Sequence, residues 1–446
     1  MPLTVSSCIR RLYYCPARTT EVPKVSEKAL RIGIIGGGAS GLFTACQLQR
    51  FRGSQDIEVT ILERNPVPGK KLTLTGHGRC NITNRKDASV LKNCYHEAGN
   101  FLYPALKEFG PEDTISFMEK DLGLKLKEED NNRMFPVCDS AITVRDTIIS
   151  YLKDSTKIVC GAKVTDIRKT TVFEVNTSKG MFSFDYLVLS CGGSSFQKTG
   201  SDGDSYKFAR DFGHEIVPIR GALAPVKADK ESAPLTSSLS GVSVNAKVSL
   251  VQSDKIPASL RGEVLFAEFG LTGPAVMEIS REIPPEIAGK DIALELDLIP
   301  DLSDEQFDKE MLGLIGSHPD TKITTLISRY VPASVAGEVA ARANCSGLYA
   351  QGFTKENRKK LSREIKHLKI GLASAPDLDK AYVTRGGVSL KEVDRKTMRS
   401  KLIEGLYIVG EALNIDGISG GFNLQACMSE GYLAAKSILL SQKTYI

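Results

Sequence analysis

The stretch RIGIIGGGASG, residues 31–41, determines the fold of the first part of the chain. Its apolar run ends at Ile35 and has the length and composition of a buried parallel strand. The following glycines fit the pattern G-x-G-x-x-G, whose members allow a tight turn, the approach of the backbone to a pyrophosphate, and close packing of helix on strand; they are Gly36, Gly38 and Gly41. Residues 42–50 have a helical composition. The stretch therefore predicts a Rossmann-type unit in which the N-terminus of a helix faces phosphates.

The sequence beyond this helix supplies an acidic residue at the position that a dinucleotide site requires. A second strand, predicted over 57–62, is followed directly by Glu63, which lies 22 residues after Gly41. A carboxylate at this point accepts hydrogen bonds from a ribose hydroxyl. The pattern predicts an adenosine with free ribose hydroxyls, and hence FAD or NAD rather than NADP.

Glycine-rich passages later in the chain favour FAD over NAD. One predicted strand runs into the glycine pair at 192–193, and another runs into residues 410–411, which are followed by the glycine-rich segment 417–425 and a helical stretch. Backbone N–H groups at such places can hold phosphates or flavin carbonyls. A site built from both ends of the chain suits the long FAD molecule, and the sequence has no second G-x-G-x-x-G for a separate NAD(P)H domain. The alternative for the C-terminal glycines is a surface loop.

Several further blocks are distinctive: GKKL at 69–72, GHGRCNITN at 76–84, TGSDGD at 199–204, FGLTGPA at 269–275, GGV at 386–388, GE at 410–411 and GGFNLQ at 420–425. With them the chain, from about Arg31 to Ala435, resembles the BaiN/RdsA-like family of three-domain FAD-dependent oxidoreductases. It departs from the family pattern at His77, at Cys191 and at Phe422, where glycine, threonine and tyrosine are more usual.

The resemblance implies a non-covalent FAD and the reduction of a carbon–carbon double bond conjugated to a carbonyl. Substrates in the family range from steroid-like enones to uracil within ribosomal RNA. NAD(P)H is the candidate electron donor. The predicted cofactor contacts are Gly36, Gly38, Ser40, Gly41, Glu63, Arg64, Lys70, Lys71, Asn81, Val164, Gly192, Gly193, Gly410, Glu411, Gly421, Asn423 and Leu424. For either lysine alone, an ordinary solvated turn is the alternative.

Cys80 and Arg79 are the predicted catalytic residues, because they lie in the block most specific to the family. A thiol near a reduced flavin can protonate the carbon that does not receive hydride. Arg79 could lower the pKa of Cys80, or hold an anionic substrate or a cofactor phosphate. The alternative is that both residues shape the FAD pocket, with Cys80 as a buried apolar filler.

The middle of the chain changes pattern twice. Short alternating strands predict a β-barrel-like subdomain over 215–302, and a serine cap at Ser303 begins a helical subdomain predicted over 303–372, with helices to about Lys369. Both would interrupt a Rossmann-like α/β FAD-binding domain formed by residues 30–214 and 373–446.

The first 20 residues contain three arginines and five serines or threonines but no acidic residue. This composition is typical of an organelle transit peptide and lacks the apolar core of a secretory signal. The sequence predicts a leader over 1–29 and a mitochondrial location, with a plastid or the cytoplasm as alternatives. A short tail without any targeting role is the other interpretation.

The overall composition excludes several classes of protein. Hydrophobic residues make up 41% and charged residues 25%, as in ordinary globular proteins. No apolar run is long enough to predict a membrane span, and the ten cysteines show no zinc spacing. The net charge of +5 is mild, but residues 355–369 contain seven Lys or Arg. This segment could neutralise RNA phosphates or form a solvated helix face.

Three functions remain open from the sequence. The first is reduction of uracil in RNA, with contact to ribosomal RNA or to ribosome assembly, which the basic segment and the leader favour. The second is a small-molecule enone reductase or amine oxidase, which needs no basic surface. The third is a flavin-bearing assembly protein without turnover.

Overall fold

A computed structural model describes residues 29–53, 55–253, 255–287 and 291–441 of the chain. Apart from Ala29, the predicted leader lies outside these residues. The described chain forms two compact units. The cofactor unit comprises residues 29–193, 197–217 and 386–441, and the inserted unit comprises residues 194–196 and 218–385.

The cofactor unit is built on a five-stranded parallel sheet. In spatial order its strands are Leu406–Ile408, Tyr186–Leu189, Leu30–Ile35, Ile57–Glu63 and Thr156–Cys160. Ile35 pairs with Leu62 on one side and with Leu189 on the other, so the carboxyl ends of three strands lie side by side. The fingerprint helix, Ala39–Phe51, packs against the C-terminal helix, Phe422–Ser441. Ligands of open α/β sheets bind at this edge.

Smaller elements surround this sheet. Two three-stranded sheets consist of Thr83–Asn84, Arg133–Pro136 and Leu126–Glu129, and of Val164–Lys169, Phe173–Thr177 and Gly180–Phe184. The remaining α-helices are Ala88–Leu91, Gly99–Glu108, Pro111–Ser116, Ala141–Leu152 and Asp204–Asp211. Short segments of 3₁₀ or π helix, some of them interrupted by a kink, are Leu72–Gly78, Lys92–Ala98, Phe117–Asp121, Asp130–Asn132, Gln197–Thr199, Leu390–Glu392 and Gly410–Ala412.

The inserted unit is a six-stranded antiparallel sheet with helices. The strands lie in the order Val226–Lys227, Gly270–Thr272, Lys255–Ala267, Ser243–Gln252, Ile292–Asp297 and Leu368–Gly371. Its helices are Ala233–Ser238, Pro274–Ile279, Ser280–Glu282, Asp304–Ser317, Ile323–Ile327, Ala333–Arg342 and Lys355–Lys366. Strands and helices share one apolar core. The chain leaves the cofactor unit within strand Ile216–Ala222 and returns within strand Val383–Val388.

The helical part of the inserted unit begins as the sequence predicts and ends earlier. The Ser303 hydroxyl accepts a hydrogen bond from the Gln306 N–H, and the Gln306 side chain accepts one from the Ser303 N–H, which completes a capping box. The last helix ends at Lys366 rather than at about Lys369. Residues 368–371 instead form an edge strand, because they pair with Ile292–Asp297 and bury alternate side chains.

The predicted fold class is confirmed: a Rossmann-like α/β domain carries an inserted antiparallel sheet with helices. Among the described residues, no helix is long and apolar enough to span a bilayer.

Candidate cofactor site

The glycine turn and Glu63 form one end of the site. The Gly37 N–H donates to Glu63 Oε2 at 2.8 Å. Glu63 Oε1 accepts from both the backbone N–H and the side-chain amide of Asn65, at 2.7 and 2.8 Å. The carboxylate is buried, and these contacts orient it beside the turn. Because a carboxylate offers about four acceptor sites, Glu63 can still accept from a ribose hydroxyl.

The turn is tight at two of its glycines and open at the third. A Cβ on Gly41 would lie 2.0 Å from the Gly36 carbonyl oxygen, and a Cβ on Gly36, whose φ is +102°, would lie 2.7 Å from the Ser190 carbonyl oxygen. A Cβ on Gly38 would meet only the Ser190 oxygen, at 4.0 Å. The open position is where a pyrophosphate can approach the backbone, at the start of the fingerprint helix.

Arg64 lies next to Glu63, and its side chain turns to another segment. Its Nη1 donates to the Gly200 carbonyl at 3.2 Å and forms ion pairs with Asp202 and with Asp204, the latter at 3.4 Å. This neutralises much of the guanidinium charge within the protein. In the structure Arg64 thus links the end of the second strand to the 200–204 loop, and its contact with the cofactor stays a prediction.

Of three other predicted contacts, Gly192 and Gly193 lie on the loop after the parallel strand Tyr186–Leu189, whereas Val164 begins a strand of a separate three-stranded sheet. The Gly192 carbonyl accepts from the Ser205 hydroxyl at 2.8 Å, and the Gly193 carbonyl accepts from the Gly203 N–H at 3.2 Å. Val164 is buried at the start of its strand. Two residues before Val164, the backbone N–H of residue 162 donates to the Glu63 carbonyl at 2.9 Å.

The N-terminal and C-terminal parts of the cofactor unit contact each other at Ser40 and Gly410. A Cβ on Gly410, whose φ is +72°, would lie 2.5 Å from the Ser40 hydroxyl oxygen. The neighbouring Glu411 carboxylate accepts from the Lys71 ammonium at 2.7 Å. Lys70, one residue earlier, donates to a backbone carbonyl at 2.6 Å and is exposed. The predicted contacts from three distant segments are therefore brought together here.

The N-terminus of the C-terminal helix forms the other end of the site. Gly420 and Gly421 have φ angles of +127° and +95°. A Cβ on Gly421 would lie 2.7 Å from the Thr83 carbonyl and 2.9 Å from Asn81 Oδ1. The first N–H groups of a helix have no intrahelical partner, so this end can donate hydrogen bonds to a bound group.

Asn81 provides the test of whether a flavin fits. Its side-chain oxygen is buried and has no hydrogen-bond partner among the described residues. An unpaired buried acceptor is costly, and a bound group with an N–H, such as the imide of a flavin, would satisfy it. The adjacent helix amides supply donors for the carbonyl groups of the same ring. The residues present therefore fit FAD.

Asn423 and Leu424 have different environments from each other. The Asn423 side chain accepts from the Gly417 N–H at 2.8 Å and donates to the Gly417 carbonyl at 2.9 Å, so it shapes the loop before the helix. Leu424 lines a small apolar cavity together with Ala39 and Cys80.

The structure favours the packing interpretation of Cys80. The side chain is fully buried, and burial raises the pKa of its thiol to about 12. The prediction that Arg79 lowers this pKa is wrong. The Arg79 guanidinium is paired with Glu129 and Asp139, the latter at 2.9 Å, and lies 4.2 Å from the centre of the Phe135 ring.

A buried polar network anchors the C-terminal helix, which begins directly after Gly421, and the sequence did not predict it. The Gln425 amide oxygen accepts from the hydroxyls of Thr83 at 2.5 Å and Thr114 at 3.0 Å. Its amide nitrogen donates to Ser429 and to the Phe109 carbonyl, at 2.9 and 3.2 Å. The available signal was the occurrence of polar residues inside an otherwise apolar helix.

Comparison with known proteins identifies the group to which this site belongs. Residues 30–437 match the model of the HI0933-like protein Rossmann domain. The chain belongs to the HI0933-like family. The family resemblance and the predicted class of enzyme, an FAD-dependent oxidoreductase, are thereby confirmed.

Three relatives in the HI0933-like family have named activities. The chain is 32% identical to a 3-dehydro-bile acid delta(4,6)-reductase of Clostridium scindens, over 91% of this chain and 98% of the relative. It is 28% identical to the ribosomal RNA dihydrouridine synthase of Haemophilus influenzae, over 91% and 97% of the two chains. The corresponding Escherichia coli synthase is 25% identical, over 92% and 98%.

Proposed function

We propose that the protein reduces a carbon–carbon double bond conjugated to a carbonyl, with FAD as its cofactor. The observation that carries this proposal is that one unit contains the glycine turn, the Ser40–Gly410 contact and the close approach of Gly421 to Asn81. Two relatives that align with this chain over nearly their whole length support the reaction type: a bile acid reductase and a ribosomal RNA dihydrouridine synthase. Bound FAD supplies hydride chemistry, and NAD(P)H is the electron donor that we propose.

The chain's own residues bind and orient the cofactor. The open position at Gly38, at the start of the fingerprint helix, leaves room for the pyrophosphate, and the bond from the Gly37 N–H holds Glu63 beside the turn, where it can accept from a ribose hydroxyl. Asn81 and the amides after Gly421 are arranged for the flavin ring. Burial of the Asn81 oxygen excludes water, so a matched N–H there gains more than it would in solvent.

For the substrate we propose uracil in RNA, and the inserted unit provides the supporting observation. The basic stripe consists of Lys355, Lys359 and Arg363, which are exposed and spaced by four residues along one helix. None of the three has an acidic partner among the described residues. Like charges at this spacing oppose each other and destabilise a helix slightly, so the stripe does not serve helix stability.

Other basic side chains of the same helix are paired and thus differ from the stripe. Arg358 pairs with Asp308 at 2.9 Å, and the buried Lys366 pairs with Asp297 at 2.7 Å. The contrast supports the RNA interpretation over the solvated-face interpretation, because the unpaired charges remain available to phosphates.

A second candidate substrate is a steroid-like enone, which the 32% identity to the bile acid reductase favours. The two candidates are separated by presenting the FAD-loaded enzyme, reduced by a chemical donor, with ribosomal RNA fragments or with an enone. Mass spectrometry of RNA from cells lacking the protein completes the test. Loss of a dihydrouridine from that RNA supports uracil, whereas reoxidation by the enone alone supports the alternative. A flavin that neither substrate reoxidises would overturn the proposed reaction.

A further inference from the structure

Glu430 lies on the C-terminal helix behind the cofactor site, and its side chain is completely buried. Its Oε2 accepts a hydrogen bond from the Gly410 N–H. Its Oε1 is buried and has no hydrogen-bond partner in the part of the chain that the structure describes. This hydrogen bond links the carboxyl group to the cofactor loop, residues 409–421, which connects the last strand of the parallel sheet to the C-terminal helix.

The backbone at Gly410 leaves little freedom for movement. A Cβ there would lie 2.5 Å from Ser40 Oγ and 3.6 Å from Cys427 Sγ, so the loop is packed between the two helices. The hydrogen bond that the Gly410 N–H donates to Glu430 Oε2 satisfies this amide in the packed interior. Without an acceptor the amide would be buried and unpaired, or the loop would rotate to pair it elsewhere.

The surroundings of Glu430 favour its neutral form. Burial raises the pKa of its carboxyl group to about 8, and the hydrogen bond from Gly410 opposes the shift only in part. The groups that face it are Tyr95, from another segment, and Cys427 on its own helix, and burial raises the pKa of both. Glu411 and Lys71, already paired with each other, interact with Cys427. A carboxylate with one partner in such a place is costly, whereas a carboxylic acid is tolerated.

We propose that Glu430 is a positioning residue for the cofactor loop: as a neutral acid it holds the Gly410 amide without placing negative charge beside the FAD diphosphate. The inference rests on the FAD site of the proposed function and is independent of the substrate. It also implies that ionisation of Glu430 weakens FAD binding through charge repulsion.

The test compares FAD dissociation constants, measured by flavin fluorescence on reconstituted apoprotein. Glu430→Gln keeps an oxygen for the Gly410 N–H and carries no charge, so its affinity at pH 7 should remain within about threefold of wild type. Glu430→Leu has similar size and no acceptor, so its affinity should fall about tenfold or more, the consequence of one unpaired buried amide. Leu433→Ala, at a buried apolar position of the same helix, is the control for general destabilisation.

A pH series provides the second measurement. From pH 7 to pH 9 the wild-type affinity for FAD should fall by up to about tenfold. Over this range a carboxyl group with a pKa of about 8 changes from mostly neutral to mostly ionised, and the charged form repels the diphosphate. The affinity of Glu430→Gln should change much less over the same range. Equal pH dependence in both proteins, or unchanged FAD affinity in folded Glu430→Leu, would overturn the proposal. Because no substrate is present, failure to reduce RNA or enone would count against the proposed function alone.

Discussion

Lys71 and Glu411 are 340 residues apart in the chain, yet the Lys71 ammonium donates to the Glu411 carboxylate at 2.7 Å. Both side chains are mostly buried. The pair joins the segment that follows strand Ile57–Glu63 to the loop that precedes the C-terminal helix. It therefore ties together the two halves of the cofactor unit that the inserted unit separates along the chain.

The first prediction concerns this pair. Lys71→Met should weaken FAD binding about 5- to 30-fold, since losing a partly screened charged hydrogen bond costs about 1–2 kcal/mol. FAD titration of the apoprotein measures the effect. Lys70→Met is the matched control, because Lys70 is exposed and donates to a backbone carbonyl. Equal losses in the two variants would show that the Lys71–Glu411 pair has no special role.

The second prediction concerns Cys80. A catalytic acid at this position predicts that Cys80→Ala slows substrate-dependent flavin reoxidation by about 10²–10⁴-fold. The buried, apolar position instead leads us to expect near-normal reoxidation with bound FAD and a loss of about 1 kcal/mol of stability, from the smaller side chain. Stopped-flow reoxidation and thermal unfolding measure the two quantities. A rate loss of a hundredfold in a protein that retains FAD would restore the catalytic role.

The third prediction concerns Gln425. Gln425→Leu should lower the free energy of unfolding by about 2–4 kcal/mol, because it leaves the Thr83 and Thr114 hydroxyls without their acceptor. The Phe109 carbonyl would lose one of its two hydrogen bonds and keep the one from the Ser429 hydroxyl at 2.7 Å. Denaturant unfolding measures the change. Gln55→Leu is the control, since Gln55 makes one partly exposed hydrogen bond, to the Leu439 carbonyl at 3.2 Å. A loss no larger than that of the control would contradict a structural role for the network.

The fourth prediction concerns the basic stripe. Replacing Lys355, Lys359 and Arg363 together by glutamine should weaken binding of ribosomal RNA fragments and reduce the slope of log K against log salt by about 2–3. Filter binding over a range of salt concentrations measures both. The control replaces three exposed basic residues of the cofactor unit, at 391, 395 and 396, in the same way. An unchanged salt slope in the stripe variant would exclude the stripe as a phosphate contact.

The fifth prediction concerns residues 1–30, for which we propose a mitochondrial targeting role on the basis of their composition. A fluorescent reporter that carries these residues should enter mitochondria and lose the segment on import. The same reporter with the three arginines of the first 20 residues changed to glutamine should stay in the cytosol. A diffuse signal from the unaltered fusion would refute the proposal, and entry into plastids would select that alternative.

Part of the fold and of the cofactor site follows from the sequence because it depends on local backbone requirements. The turn at 36–41 needs glycine wherever a Cβ would collide, so the residue identities themselves indicate the geometry. The same holds for Gly420 and Gly421, whose φ angles are positive. Strand length and the acid after the second strand likewise lie within one contiguous unit, and for that reason the Rossmann-like fold and the FAD site could be predicted.

Tertiary structure decided which side chains pair with one another. Arg79 is adjacent to Cys80 in sequence, yet its charge is paired with Glu129 and Asp139. The sequence predicts a helix to about Lys369, yet residues 368–371 form an edge strand, because they pair with Ile292–Asp297. The carboxyl group of Glu430 is an ordinary acid in the sequence. It acquires its raised pKa and its contact with Gly410 only when segments far apart in the chain pack together and exclude water. A backbone requirement is local, so the residue at that position indicates it. Desolvation and pairing of a side chain depend instead on neighbours that the fold brings together.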